Sequence, residues 1–410
     1  MLLRLCLLLI AAALLASCAL PFGDQPTAQP VIIIVTATPD RNAPVSATDP
    51  PLPTEAPVAT PAPGETAPIL PSALAVTPEV TAEVAAPAGG LLARVRERGR
   101  LLCGTNADLP GFGFYDNVRQ AWSGFDVDFC RALAAAIFSD ASAVEFVALN
   151  TAGANERFAA VRSGRVDVLF RNTTWTLGRD VSQLAFGPTT FHDGQTFMVR
   201  ADSGVEALDS LANKKICVAR GTTSEQNLND DFAARGISFE ALLFDDENLL
   251  YPAYDAGECD AVTSDSSQLA SKRQTLENPT DHTILGDRIS REPLGPAFIE
   301  SDEQWRDVVT WVVYASIYAE ELRVDQATVA GLRETSDDPR VRRLLGVEGD
   351  FGEKLGLTPD FAFQMLSQVG SYADIYNRSL GPATPFALER GPNKVWNLGE
   401  GGVLASPPFR

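Results

Sequence analysis

The chain has 410 residues and a formal net charge of −20, from 33 basic and 53 acidic side chains. Such a surface repels phosphate and excludes a nucleic-acid partner; its acidity serves solubility. Six cysteines at spacings unlike a zinc ribbon, with only His192 and His282 to add imidazoles, leave no basis for a metal centre, and no cofactor is expected.

Residues 1–17 carry one positive charge, Arg4, ahead of an apolar run over 5–15 that is too short to cross a bilayer unaided. This is a bacterial export signal. It ends on Leu15-Ala16-Ser17-Cys18, which resembles the lipobox at which lipoprotein precursors are lipidated and cleaved. Cys18 is therefore expected to be the lipidated mature N-terminus. It would hold the exported protein on the outer side of the cytoplasmic membrane, periplasmic or cell-surface. Residues 18–89 are dense in Pro, Thr and Ala and poor in core-forming aromatics, so they cannot offset their conformational entropy and read as a disordered tether. The β-prone run 31–35 lies isolated among prolines and is read as part of that tether.

Residues 90–410 suffice for two lobes of ordinary domain size. Residues 91–99 form an amphipathic pattern closed by Gly99, and a short strand follows over 101–104. A helix is expected over 126–138, and helix-like stretches over 155–163 and 248–256. Each of the latter runs into the same kind of segment: Ser163-Gly164-Arg165-Val166-Asp167-Val168-Leu169-Phe170, and Ala256-Gly257-Glu258-Cys259-Asp260-Ala261-Val262-Thr263. A glycine stops each helix and an apolar strand follows. With a second opening strand over 215–219, these are two copies of a βαβ-type unit, which predicts an α/β fold in which each lobe is a mostly parallel sheet flanked by helices. The first lobe takes 90–192, the second 193–290, and 291–410 completes the first lobe and extends it. The crossings near 187–194 and 289–294 are the expected hinge.

Cys6 leaves with the signal and Cys18 with the lipid, so four cysteines remain in an oxidising compartment, with three possible connectivities. Cys103 and Cys130 fall on the opening strand and first helix of the first lobe. Cys217 and Cys259 fall on the opening strand and before the later strand of the second. Pairing within each lobe, Cys103 with Cys130 and Cys217 with Cys259, is favoured over free buried thiols.

Ligands of open α/β sheets lie beyond the carboxyl ends of the strands. There the first lobe places Arg171-Asn172-Thr173-Thr174-Trp175-Thr176-Leu177-Gly178-Arg179, and the second places Ser264 and Asp265. A guanidinium forks onto a carboxylate, and a carboxylate accepts an ammonium, so facing lobes would grip opposite ends of a zwitterion. Taken alone, Arg179 reads as a surface arginine and Asp265 as a helix N-cap before residues 266–269.

These segments appear in order with Gly124-Phe125-Asp126-Val127-Asp128, Glu156-Arg157-Phe158, Gly221-Thr222-Thr223-Ser224-Glu225, 253–260 and Glu292-Pro293-Leu294-Gly295-Pro296. The set resembles the type II periplasmic substrate-binding proteins, and within them the general L-amino-acid-binding proteins of polar amino-acid ABC importers, over residues 91–410. The resemblance implies a carboxylate clamp at Arg179 assisted by Thr176. It implies an ammonium site from the Asn172 main-chain carbonyl, the Thr174 hydroxyl and Asp265. It further implies N–H groups of Thr222 and Thr223 at a helix N-terminus facing the carboxylate, and a side-chain pocket bordered by Asn106 and Leu109, with Phe112 beside them. Asn172 departs from single-amino-acid binders, where glycine is common, and residues 151–155 depart from a usual Lys-containing turn. The implied role is capture of free L-amino acids by a monomer, with broad specificity, and delivery to an ABC transporter permease. An amino-acid-sensing ectodomain and a dehydratase-type enzyme on the same fold are the alternatives. Catalysis would need a positioned acid or base beside the clamp, and none stands there, so no enzyme activity is expected.

Overall fold

The computed structural model describes residues 90–410, apart from Ala154, together with the backbone of Val31–Val35. The export signal, Cys18 and the rest of the tether lie outside the described residues.

Both halves of the sequence echo fold alike. The first helix runs Arg157–Arg162 and the second Glu247–Asp255. Each begins with an acidic cap: the Glu156 carboxylate accepts from the N–H groups of Phe158 and Ala159, and Asp246 accepts from that of Asn248. Each is followed by a glycine in the left-handed region, Gly164 at φ 71° and Gly257 at φ 83°, where a side chain would be strained. The strands after them, Val168–Leu169 and Ala261–Asp265, enter the two sheets.

In the first sheet Leu101–Thr105 lies parallel to Val144–Ala148 and to Val168–Leu169. In the second, Lys215–Ala219 lies parallel to Phe239–Phe244 and to Ala261–Asp265. Antiparallel strands extend both parallel centres. Ala297–Ile299 sits between Val168–Leu169 and Leu184–Phe186, and Gln195–Arg200 sits between Ala261–Asp265 and His282–Ile284. The reason is connectivity: a chain that enters from the other lobe, or returns to it, runs against the strands of the βαβ unit. The crossings themselves pair as Phe191–Asp193 and Glu292–Leu294, with Glu292 opposite Asp193. A two-stranded ribbon between lobes bends without breaking either sheet.

Residues 303–410 add a helical layer to the first lobe. Its helices Glu303–Glu321, Phe361–Gln368 and Tyr372–Ser379 share one apolar cluster with Gly90–Arg98 and Phe125–Phe138. Trp305 is fully buried there, and its indole N–H donates to the Asp167 carbonyl at 3.1 Å. The Tyr372 hydroxyl donates to the Thr190 carbonyl at 2.8 Å, tying this layer to the start of the hinge.

One disulfide in each lobe cross-links a strand, to a helix from Cys103 to Cys130 and to a loop from Cys217 to Cys259, with Cα separations of 6.0 and 5.7 Å. The second closes a separation of 42 residues and ties the strand Lys215–Ala219 to the loop before Ala261–Asp265. Replacing both of its cysteines by serine is expected to cost about 2–4 kcal/mol of stability, chiefly by freeing the unfolded chain. Denaturant unfolding checks it; an unchanged midpoint and slope would show that the bond contributes nothing.

The run Val31–Val35, read as linker from its proline-rich surroundings, instead forms an edge strand antiparallel to Phe239–Phe244, with Ile33 opposite Ala241. Five β-branched residues in succession suit a ladder, and Phe239–Phe244 would otherwise present an open row of N–H and C=O groups. Composition averaged over the tether hides such a local match.

Candidate ligand-binding site between the lobes

The loop after Val168–Leu169 is shaped by Asp126, whose buried carboxylate accepts the Asn172 N–H at 3.0 Å. Burial outweighs this bond and the nearby Arg171, and the Asp126 carboxyl is pushed up to about 6. Asn172 itself has φ 22°, in the left-handed region. That explains why glycine suits this position and why asparagine, which enters that region more readily than other residues, replaces it. Farther on, the Thr176 hydroxyl accepts the Arg179 N–H at 3.3 Å and caps the short helix Leu177–Asp180. Arg179 is thereby turned back on the loop: its Nη1 donates to the Thr174 carbonyl at 2.7 Å, and its Cζ lies 5.1 Å from the Phe158 ring centroid. Burial pulls its guanidinium down from the usual range, while Glu292 and Asp265 oppose that shift.

On the second lobe, Thr222 caps the helix Thr223–Arg235, accepting the Glu225 N–H at 3.1 Å and donating to the Ala219 carbonyl at 2.7 Å. The next hydroxyl, on Thr223, stands 3.5 Å from that of Thr174 on the opposite lobe. Asp265 ends its strand buried, yet it does not cap the following helix. Asp193 from the hinge does so instead, accepting from the Ser266 hydroxyl at 2.8 Å and the Ser267 N–H at 3.2 Å. Asp265 is thus left for another partner. Burial pushes its carboxyl well above the ordinary range; Asp193 and Glu292 add to the rise, and Arg179 opposes it.

One cavity between the lobes is lined by Arg179, Asp265, Thr174, Asn172, Thr222 and Thr223. Three expected residues are absent from it. Thr176 acts through the helix it caps. Leu109 is fully buried in the first-lobe core beside Phe112, because the tight turn after Asp108–Leu109 folds both side chains inward. Asn106 borders a neighbouring cavity with Lys272 and Glu247, and its Oδ1 accepts the Asp108 N–H at 3.0 Å.

The cavity also contains Arg157, Glu247, Tyr251 and Gln268, which the sequence reading gave no role. A signal for two of them was present, since Arg157 and Glu247 are the first residues of the two echoed helices. Several of these groups bridge the lobes. Asn172 Nδ2 donates to Gln268 Oε1 at 2.8 Å, Thr151 Oγ1 to Glu247 Oε1 at 2.6 Å, and Lys272 Nζ to the Asp108 carbonyl at 2.7 Å. The lobes are therefore closed on one another, and the unusual loop at 151–155 supplies one of the closing bonds.

Neither histidine reaches the cavity. His282 Nδ1 is 2.9 Å from the Tyr254 hydroxyl within the second lobe, and His192 lies on a hinge strand with its N–H on Asn393 Oδ1 at 2.6 Å. Among the described residues no group of His, Cys, Asp and Glu is placed to hold a metal ion, and no helix is long and apolar enough to cross a membrane.

Comparison with known proteins finds relatives over most of the chain. The chain is 44% identical over 322 residues to the general L-amino acid-binding periplasmic protein AapJ of Rhizobium johnstonii, covering 78% of this chain and 92% of that one. It is 41% identical over 317 residues to the glutamate/glutamine/aspartate/asparagine-binding protein BztA of Rhodobacter capsulatus, covering 77% and 92%. Among solved structures, a periplasmic binding protein of an ABC transporter from Brucella ovis with glutathione bound superposes with a TM-score of 0.75 at 41% identity, covering 78% of this chain and 99% of that one. Residues 101–321 match the family signature, and the chain belongs to the bacterial extracellular solute-binding proteins, family 3.

Proposed function

We propose that this protein captures free L-amino acids outside the cytoplasm, with broad specificity, and delivers them to an ABC importer. The observation that carries the reading is a single cavity holding Arg179 from one lobe and Asp265 from the other. The ligand α-carboxylate would lie against the Arg179 guanidinium and the N–H groups at the start of the helix Thr223–Arg235. Its ammonium would meet Asp265 and the Thr174 hydroxyl, in a region already made negative by Asp193 and Glu292. Closure about the strands Phe191–Asp193 and Glu292–Leu294 excludes water and strengthens each charged contact, so ligand shifts an open–closed equilibrium.

A permease that distinguishes the closed shape would then accept only loaded protein. Relatives that are a general L-amino acid-binding periplasmic protein, a glutamate/glutamine/aspartate/asparagine-binding protein and a periplasmic binding protein of an ABC transporter support this role. A lipid at Cys18 would keep the monomer near the permease, with residues 19–30 linking it to the edge strand Val31–Val35. The reading is non-enzymatic, in keeping with solute-binding relatives. Calorimetry against each standard amino acid is the test. One ligand per chain, released chemically unchanged, is the expected result; no binding of any amino acid, or consumption of one, refutes it.

A further inference from the structure

The second-lobe sheet has an outer strand, Phe239–Phe244, that would be hazardous if left bare. Both of its faces are covered: Phe239, Ala241 and Leu243 pack into one apolar cluster with Phe232, and Leu242 and Phe244 into the opposite one with Tyr254. Its inner edge is taken by Lys215–Ala219. Its outer edge carries none of the devices that blunt an exposed strand. Residues 239–244 hold no lysine and no proline, and their one charge, Glu240, lies 3.9 Å from Lys215 on the neighbouring strand. Val31–Val35 closes that edge in an unbroken antiparallel ladder, from Val31 opposite Leu243 to Val35 opposite Phe239. Chain length lets the same molecule supply this strand. Residues 36–89 can span up to roughly 180 Å, against a folded body about 50 Å across, so they reach from the second lobe to Gly90 in the first.

We propose that the outer edge of Phe239–Phe244 is the docking site for the membrane-proximal segment of this same chain, and that Val31–Val35 is a strap holding the second lobe, not the first, on a short leash to the membrane. The leash rests on the lipid at Cys18 proposed above and is independent of which ligand the cleft takes. Undocked, the anchor would join the folded body only at Gly90, through residues 19–89 and a reach of up to roughly 230 Å. Docked, it joins at Val31 through residues 19–30, a reach of roughly 40 Å. The strap therefore shortens the leash several-fold and transfers it to the other lobe, which limits the orientations the body presents to a permease in the same membrane. It also occupies an edge on which a second copy could otherwise pair.

Hydrogen exchange on the mature chain tests the strap. The backbone N–H groups of residues 239–244 that point away from Lys215–Ala219 are expected to be protected in the wild type. They are expected to lose that protection when Val31→Gly, Ile32→Ser, Ile33→Gly, Ile34→Ser and Val35→Gly are combined, which keeps the tether length and removes the β-branched run. Ile33→Pro with Ile34→Pro serves as the second variant: successive residues of a strand direct their N–H groups to opposite sides, so one of the two prolines removes a ladder donor. Unprotected amides in the wild type, or protection indifferent to both variants, overturns the strap. Protection that fades on dilution, with a dimer in sedimentation, overturns docking within one chain and assigns the strand to a second copy. Neutron reflectometry of the lipidated chain on a supported bilayer tests the leash. The wild-type protein layer is expected to end within about 90 Å of the membrane, the leash plus one body diameter, and the variant layer to extend beyond it. Equal profiles overturn the leash. A chain that carries no lipid and does not attach overturns the leash together with the anchor at Cys18, whereas failure of amino-acid capture leaves both measurements unaffected.

Discussion

Arg179→Ala is expected to abolish measurable binding of every amino acid while leaving the fold in place. The guanidinium is held on the Thr174 carbonyl at 2.7 Å and against Phe158, with no carboxylate of the described residues close enough for an ion pair. Its charge is therefore available to a ligand. Removing one partner of a desolvated charge pair costs about 2–5 kcal/mol, a loss of roughly 30-fold to several thousandfold in affinity. Stability should change little, because Thr176, not the Arg179 side chain, caps the helix Leu177–Asp180. Calorimetry paired with thermal unfolding separates the two quantities. An unchanged affinity would refute the clamp, and a collapsed melting transition would mean that the arginine is structural.

Asp265→Asn should weaken binding by about 10- to 100-fold, the value of a hydrogen bond to a charged group, and should also remove a pH dependence. Burial holds the Asp265 carboxyl well above its ordinary range in the closed arrangement. A carboxyl raised in this way stabilises that arrangement below its ordinary pKa and withdraws the contribution as pH climbs through the raised value. The empty protein should accordingly open more readily as pH rises. A ligand ammonium acts in the opposite sense, favouring the carboxylate, so binding releases a proton and affinity increases with pH until Asp265 is ionised in the empty site as well. Calorimetry in buffers of different ionisation heat counts that proton. If the asparagine variant releases the same proton, another buried carboxyl, such as Asp193 or Asp126, is its source.

The sequence carried the two-lobed plan because its signals are local. A helix ended by a left-handed glycine and followed by an apolar strand leaves the same trace at Gly164 and Gly257, and repetition of that trace reveals the second copy. That Arg179 and Asp265 line one cavity was legible for a related reason: each stands at or beyond the end of a strand placed by the echo, and their opposite charges suit opposite ends of one small molecule. The pairing of Cys103 with Cys130 and of Cys217 with Cys259 followed from the same placement.

What only the tertiary structure decided are the directions of side chains on loops and the partners of buried charge. Leu109 and Asn106 stand after the correct strand, yet the turn sends one into the core and the other toward a neighbouring cavity. Asp265 carries the sequence signature of a helix cap and is relieved of that duty by Asp193, which comes from a hinge strand far away in the chain. The pairing of Val31–Val35 with Phe239–Phe244 likewise joins segments that no local pattern connects. Arg157 is the clearest case. An arginine at the start of a helix is unremarkable in a sequence, and only folding shows it buried, with Glu156 capping its helix and Glu247 held by Thr151. Sequence periodicity fixes which residues face inward along an element; electrostatic completeness depends on every group the fold brings within a few ångströms, and that is a property of the closed lobes alone.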